Sequence, residues 1–147
     1  MKTLNLSEFP DYLKTLKPQD WQPILDLIPI IEQTDSFSHY PEVKEVKGVM
    51  QMPHIMNAKV VRDFEDLAYS LNLIINFDWS AWDEGHDLAN GDIEEIGNLN
   101  LLTLCKLITA TVRSERFCEG NIAGSFQCGL VLAVLVRIEE IMMKENE

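Results

Sequence analysis

Cysteine is scarce in this chain and unpaired in pattern: Cys105, Cys118 and Cys128 are the only three, and no two are spaced as C-x-x-C. An odd count without that spacing gives neither a disulfide framework nor a zinc knuckle, and it fits thiols kept reduced in a cytoplasm. Long apolar runs are missing too. The longest, Leu130 to Val136, falls far short of the ~20 residues a spanning helix needs. The opening "MKTLNLSEFP" holds no continuous apolar stretch of the kind an export leader carries. A soluble cytoplasmic protein with no membrane partner is therefore expected.

Positive charge is in short supply: 12 Lys and Arg stand against 24 Asp and Glu, a formal net charge of -12. The bases are interleaved with acids, as in "PEVKEVKG" and "VVRDFEDL", so no basic stripe is available and no nucleic-acid partner is expected. No Gly-rich phosphate loop, no Ser-His-Asp signature, no internal repeat and no low-complexity linker is visible.

What is present is enough apolar material for a core. With 46% hydrophobic residues in 147, one domain covering residues 1–147 is expected, burying roughly 68–70% of its unfolded surface. The apolar periodicity predicts a nearly all-α bundle. A first helix, about 18–33, places Trp21, Ile24, Leu25, Ile28 and Ile31 on one face, with Pro29 bending or shortening it. A second, about 57–72, is amphipathic, with Val60, Val61, Phe64, Leu67, Ala68 and Leu71 opposite Lys59, Arg62, Asp63, Glu65 and Asp66. A third, about 98–117, is apolar over most of its circumference and reads as the buried central helix. A short helix over 122–127 and a last one over 130–143 follow. The segment near 40–53 alternates weakly around Gly48 and reads as a short hairpin or an extended loop.

Two stretches carry the resemblance to a known family. "NFDWSAW" at 76–82 and "LTLCKLITATVRSERFCEG" at 102–120, with Gly129 before the last apolar helix, resemble a family of small bacterial proteins catalogued only as a domain of unknown function. The likeness runs from "QMP" at 51 to the end, through FDWxxW and TxxxRxxRFxEG motifs. It implies that 77–82 and 113–120 form one unit, and it implies no reaction.

The candidate ligand-binding residues lie in those motifs: Asp78, Trp79, Trp82, Arg113, Arg116 and Glu119. Lys106, Thr109, Arg113 and Arg116 are spaced to stack along one polar strip of the central helix. Two guanidiniums on such a strip form an anion pocket, with the aromatics as a platform. Alternatively they pair with Asp78 or Glu119 and cap carbonyls at the helix exit. The charge context favours pairing, with one guanidinium left over for a ligand. Cys118 is expected to be a small buried residue beside Phe117.

"DEGHDLANGDIE", 83–94, fails as a calcium loop because Gly85 and Leu88 stand where a ligand and a glycine are required. It reads as a solvated acidic loop, and neither a metal nor a cofactor is expected. Binding is expected rather than catalysis, of a partner protein, a second copy or a small anion. Met50 and Met52 in "VMQM", with Met142 and Met143, are the candidate apolar interface. The catalytic alternative uses the same pocket, with Asp78, Glu115 or Glu119 as acid or base and the arginines stabilising negative charge.

Overall fold

The helical periodicity carries over into the structure, a computed structural model that describes residues 3–40, 45–50 and 55–145. Eight α-helices stand among them, and the strands are two residues each. β1 (Leu4–Asn5) leads into α1 (Phe9–Thr15), which buries Phe9 and was not expected from the sequence. The expected first helix is two: α2 (Pro18–Leu25) and α3 (Leu27–Glu32). The break has a local cause. Pro29 lacks the N–H that would reach the carbonyl of Leu25, and its ring crowds that carbonyl, so α2 ends there.

β2 (Ser38–His39) precedes a hairpin of β3 (Glu45–Val46) and β4 (Val49–Met50), so the segment near 40–53 contains a short-strand element. Lys47 and Gly48 both have positive φ, 55° and 79°, the backbone of the turn that matches strand twist. The side chain of Met50 and the whole of Met52 lie outside the described residues. β5 (Met56–Asn57) pairs antiparallel with β2 and leads into α4 (Lys59–Ser70), which buries Val60, Val61, Phe64 and Ala68 as the apolar arc requires.

β6 (Ile75–Asn76) pairs parallel with β1, Leu4 opposite Ile75. A turn of 3-10 helix, Trp79–Ala81, follows, and then α5 (Asp83–Asn90). The acidic stretch expected as a loop is thus helical over its first eight residues. One apolar side chain, Leu88, anchors it, and Gly85 lets its backbone lie against the Trp82 ring: a Cβ there would come within 2.2 Å of Trp82 Cε3. A second 3-10 segment, Ile93–Asn98, buries Ile96.

α6 (Leu101–Ser114) is shorter than expected at both ends. Asn100 stops it from starting earlier, its side chain accepting from Thr103 N at 2.9 Å as an N-cap. Past Ser114 the chain tightens, with the N–H groups of Phe117 and Cys118 both donating to the Ser114 carbonyl at 3.0 Å. α7 (Asn121–Gln127) and α8 (Leu130–Glu145) complete the chain. α6 lies centrally as expected and shares that position with α8, which packs on α2, α3, α6, α7 and the 93–98 segment.

Buried residues from α1 to α8 join one hydrophobic cluster. Among the described residues no single helix is long and apolar enough to cross a membrane. α7 and α8 pass such a test only together, and they meet at 65° with Phe126, Val131, Leu135 and Ile138 buried in the core.

Candidate functional site

The exit of α6 explains the charges packed into "VRSERFCEG", and the acids do the holding. Glu115 accepts from two backbone groups beyond the turn: Gly120 N at 3.0 Å through Oε1 and Ile122 N at 2.9 Å through Oε2. These are N–H groups at the start of α7, which have no partner within the helix, so one carboxylate caps the next helix. Glu119 accepts from Ile55 N at 2.7 Å and ties the chain before β5 to the same turn. Gly120 is required here. Its φ is +90°, and a Cβ would press on Ile55 Cδ1 at 3.3 Å.

The arginines are left over, contrary to the expected pairing. Neither Arg113 nor Arg116 forms an ion pair with an acid among the described residues, and the buried Nε of Arg113 has no hydrogen-bond partner. The acids expected to pair with them are engaged elsewhere. Asp78 is exposed and accepts from Ser80 Oγ at 2.7 Å, and Glu119 holds Ile55.

The polar strip of α6 also divides. Thr109 is fully buried: its hydroxyl donates toward the Cys105 and Leu73 carbonyls and accepts from Ile75 N at 3.0 Å, fastening β6 to α6. Lys106 turns to the other motif, with Nζ 4.3 Å from the Trp82 ring centre and 5.2 Å from that of Phe77. Cation–π contact accounts for its direction. Phe77 and Trp82 meet edge to face at 5.8 Å.

What joins the motifs is aromatic. The rings of Trp79 and Phe117 are 5.9 Å apart, and both line a cleft of about 360 Å³ with Arg113, Arg116, Glu115, Glu65 and Tyr69. Asp78, Trp82 and Glu119 do not line it. Cys118, expected to be buried, is exposed, and Phe117 is 79% exposed. The buried thiol is Cys105, whose pKa burial pushes well above the ordinary range.

Glu65 is the residue the sequence reading placed only on the outer face of α4. The structure brings it into the cleft, where burial first, and then the nearby carboxylates of Asp66 and Glu115, raise its pKa above the usual carboxylate value. Its sequence signal is slight. Glu65 and Tyr69 are four residues apart, at the margin of the stripe formed by Phe64 and Ala68, and so share one edge of α4.

Trp79 also walls a second cleft of about 350 Å³, between α5, α6 and α7, which Trp82 lines with it. Among the described residues no three His, Cys, Asp or Glu side chains converge as a metal site would require.

The model of a family described as a family of unknown function, DUF6508, matches residues 16–144, and the chain belongs to that family. The match begins well ahead of residue 51, where the likeness noted from the motifs began. Neither curated proteins nor solved structures gave a match.

Proposed function

We propose that this member of a family of unknown function is a binding module, and that the cleft at the exit of α6 takes a small flat anion, an aromatic carboxylate or phosphate ester. The observation that supports this most is the pair of guanidiniums, Arg113 and Arg116, that line a cleft without an acid paired to either among the described residues. A guanidinium offers several donors in a planar fork that matches carboxylate and phosphate oxygens. The Trp79–Phe117 pair supplies an apolar face for the ligand ring. Glu115 faces the same cleft, with both oxygens occupied by backbone N–H groups. A catalytic use of the cleft would rest on Glu65, the lining carboxylate whose proton is held more tightly than usual.

The test is a thermal-shift screen with inorganic phosphate, nucleotides and small aromatic carboxylates. A ligand at a hundred times its dissociation constant contributes about 2.7 kcal/mol, and each kcal/mol moves the melting point of a domain this size by roughly 2–4 °C. The shift is expected in wild type and absent in Arg116→Gln, which itself melts normally. No shift by any anion in wild type overturns the reading.

A second reading has its own observation: the cleft rim exposes Phe117 at 79% and Tyr69 at 42%, apolar surface that fits a partner protein or a second copy inserting a carboxylate. Mass by light scattering across protein concentration separates the second copy from small-anion binding, which leaves a monomer.

A further inference from the structure

The second cleft that Trp79 lines has a different chemistry. Its volume, about 350 Å³, lies at the lower end of small-molecule sites, roughly 300–1,000 Å³. In a chain with 24 acids and 12 bases, no Asp, Glu, Lys or Arg lines it. Its polar lining includes His86 and Asn90 from α5, Ser114 from α6, and Asn121 and Ser125 from α7.

Several of those groups spend one donor on the chain itself. His86 Nε2 meets the Ser80 carbonyl at 3.0 Å; a carbonyl only accepts, so Nε2 carries a proton, and in the neutral ring Nδ1 is the acceptor. Asn90 Nδ2 donates to the His86 carbonyl at 2.8 Å, Asn121 Nδ2 donates to Ser114 Oγ, and Ser125 Oγ donates to the Asn121 carbonyl at 3.1 Å. Among the described residues nothing donates to Asn90 Oδ1, Asn121 Oδ1, His86 Nδ1 or Ser125 Oγ. The lining holds no Asp, Glu, Lys or Arg, and it offers open acceptors together with the second amide N–H of Asn90 and of Asn121, from α5 on one side and α7 on the other.

Gly124 shapes one side of the cleft. It stands inside α7 and lines this cleft, its φ is not in the positive range, and a Cβ built on it would meet nothing within 4 Å. Glycine inside a helix is destabilising relative to alanine. Neither a positive φ nor a crowded Cβ position calls for it, and it leaves that stretch of the α7 backbone open to the cleft.

We infer that this cleft is a second binding site, for a neutral polyhydroxylated ring: a saccharide unit. The apolar face of such a ring packs on Trp79, beside the edge of Trp82, its hydroxyls exchange hydrogen bonds with the Asn, Ser and His side chains, and its edge comes down beside Gly124. A nucleobase keeps its donors along one edge, whereas these acceptors come from α5 on one side and α7 on the other. An anion would meet open acceptors on both sides and no Lys or Arg. Trp82 is held in place beforehand by the backbone at Gly85 and by Lys106, so the wall exists without the ligand.

The experiment titrates wild type, Gly124→Leu and Arg116→Gln with methyl glycosides of the common hexoses and N-acetylhexosamines, and with adenosine and uridine, following tryptophan fluorescence and saturation-transfer NMR. Saturable binding of a glycoside is expected in wild type. Gly124→Leu is expected to weaken it at least tenfold while melting no lower than wild type, and Arg116→Gln to leave it unchanged. The inference is overturned if no glycoside binds, if only the nucleosides do, if Gly124→Leu binds as wild type does, or if Arg116→Gln abolishes the signal, which would put the glycoside in the arginine cleft.

Discussion

The rings of Trp79 and Phe117 lie 5.9 Å apart, inclined at 45°, so the two sequence motifs meet through an aromatic pair on the surface and not through a charge pair in the core. Such a pair contributes about 0.5–1.5 kcal/mol beyond area burial when well packed. Phe117 is 79% exposed, and little area is lost with it. Phe117→Ala is therefore expected to lower stability by no more than about 1 kcal/mol, at the low end of that range, while weakening any ligand of the arginine cleft. Urea denaturation and a binding isotherm on the same variant measure both; a large loss of stability would make the pair part of the core.

The roles of acid and base at the exit of α6 can be separated by single substitutions. Glu115→Ala strips the partners from two backbone N–H groups at the start of α7, and losing a helix cap of this kind costs about 0.5–2 kcal/mol. Arg116 is exposed and unpaired among the described residues, and Arg116→Gln should fall within ~0.5 kcal/mol of wild type. Chemical denaturation gives the order. A greater loss for Arg116→Gln than for Glu115→Ala would restore the arginine clasp that sequence context favours.

Glu65 makes stability depend on pH in a stated direction. Its folded pKa is raised by burial, then by Asp66 and Glu115, so between the unfolded and folded values the native state binds more protons, and stability falls as pH rises through that window. Above it the penalty is fully present; below the ordinary glutamate range it is gone. Glu65→Gln is expected to be more stable than wild type at neutral pH, with the two converging on acidification. Denaturation midpoints at neutral and acidic pH check this, and a constant gap would assign the effect to packing. Anion affinity in the arginine cleft should also rise as pH falls toward the carboxylate range, because the opposing charge is neutralised.

The apolar arcs of α4, α6 and α8 were legible in the sequence because they are set inside each element by the 3.6-residue repeat. So was the bend that Pro29 imposes. α5 was not: it has one buried large side chain, Leu88, and depends on Trp82 lying against Gly85, a contact no periodicity reports. The partners of Arg113 and Arg116 were misread for a related reason. Sequence places Glu119 and the arginines side by side, but the left-handed Gly120 turn exposes backbone N–H groups that Glu115 can reach, and Glu119 is taken by Ile55, sixty-four residues away. Glu65 entered the cleft through packing between elements. At the level of residue types the candidate site was half visible: Trp79, Arg113 and Arg116 line one cleft, while Asp78 and Glu119 lie outside it.

Thr109 offers the most local test of how the fold positions the aromatic motif. Its side chain is fully buried, and its hydroxyl serves three backbone groups: the carbonyls of Cys105 and Leu73 and the N–H of Ile75, the residue that begins β6. Valine matches the shape and lacks the hydroxyl. Thr109→Val leaves the Ile75 N–H buried without that acceptor, at a cost of about 1–3 kcal/mol. The loss should be local as well as global, because Ile75 carries the pairing with Leu4 and leads directly into Phe77–Trp82. Amide exchange at Ile75 is therefore expected to accelerate more than exchange at Leu104 or Ile108 on α6. Thr109→Ser keeps the hydroxyl and removes one buried methyl, worth roughly 0.8 kcal/mol, and should restore Ile75 protection. If serine and valine accelerate Ile75 equally, the site is held by the methyl and its packing, and the hydroxyl is not what fastens β6 to α6.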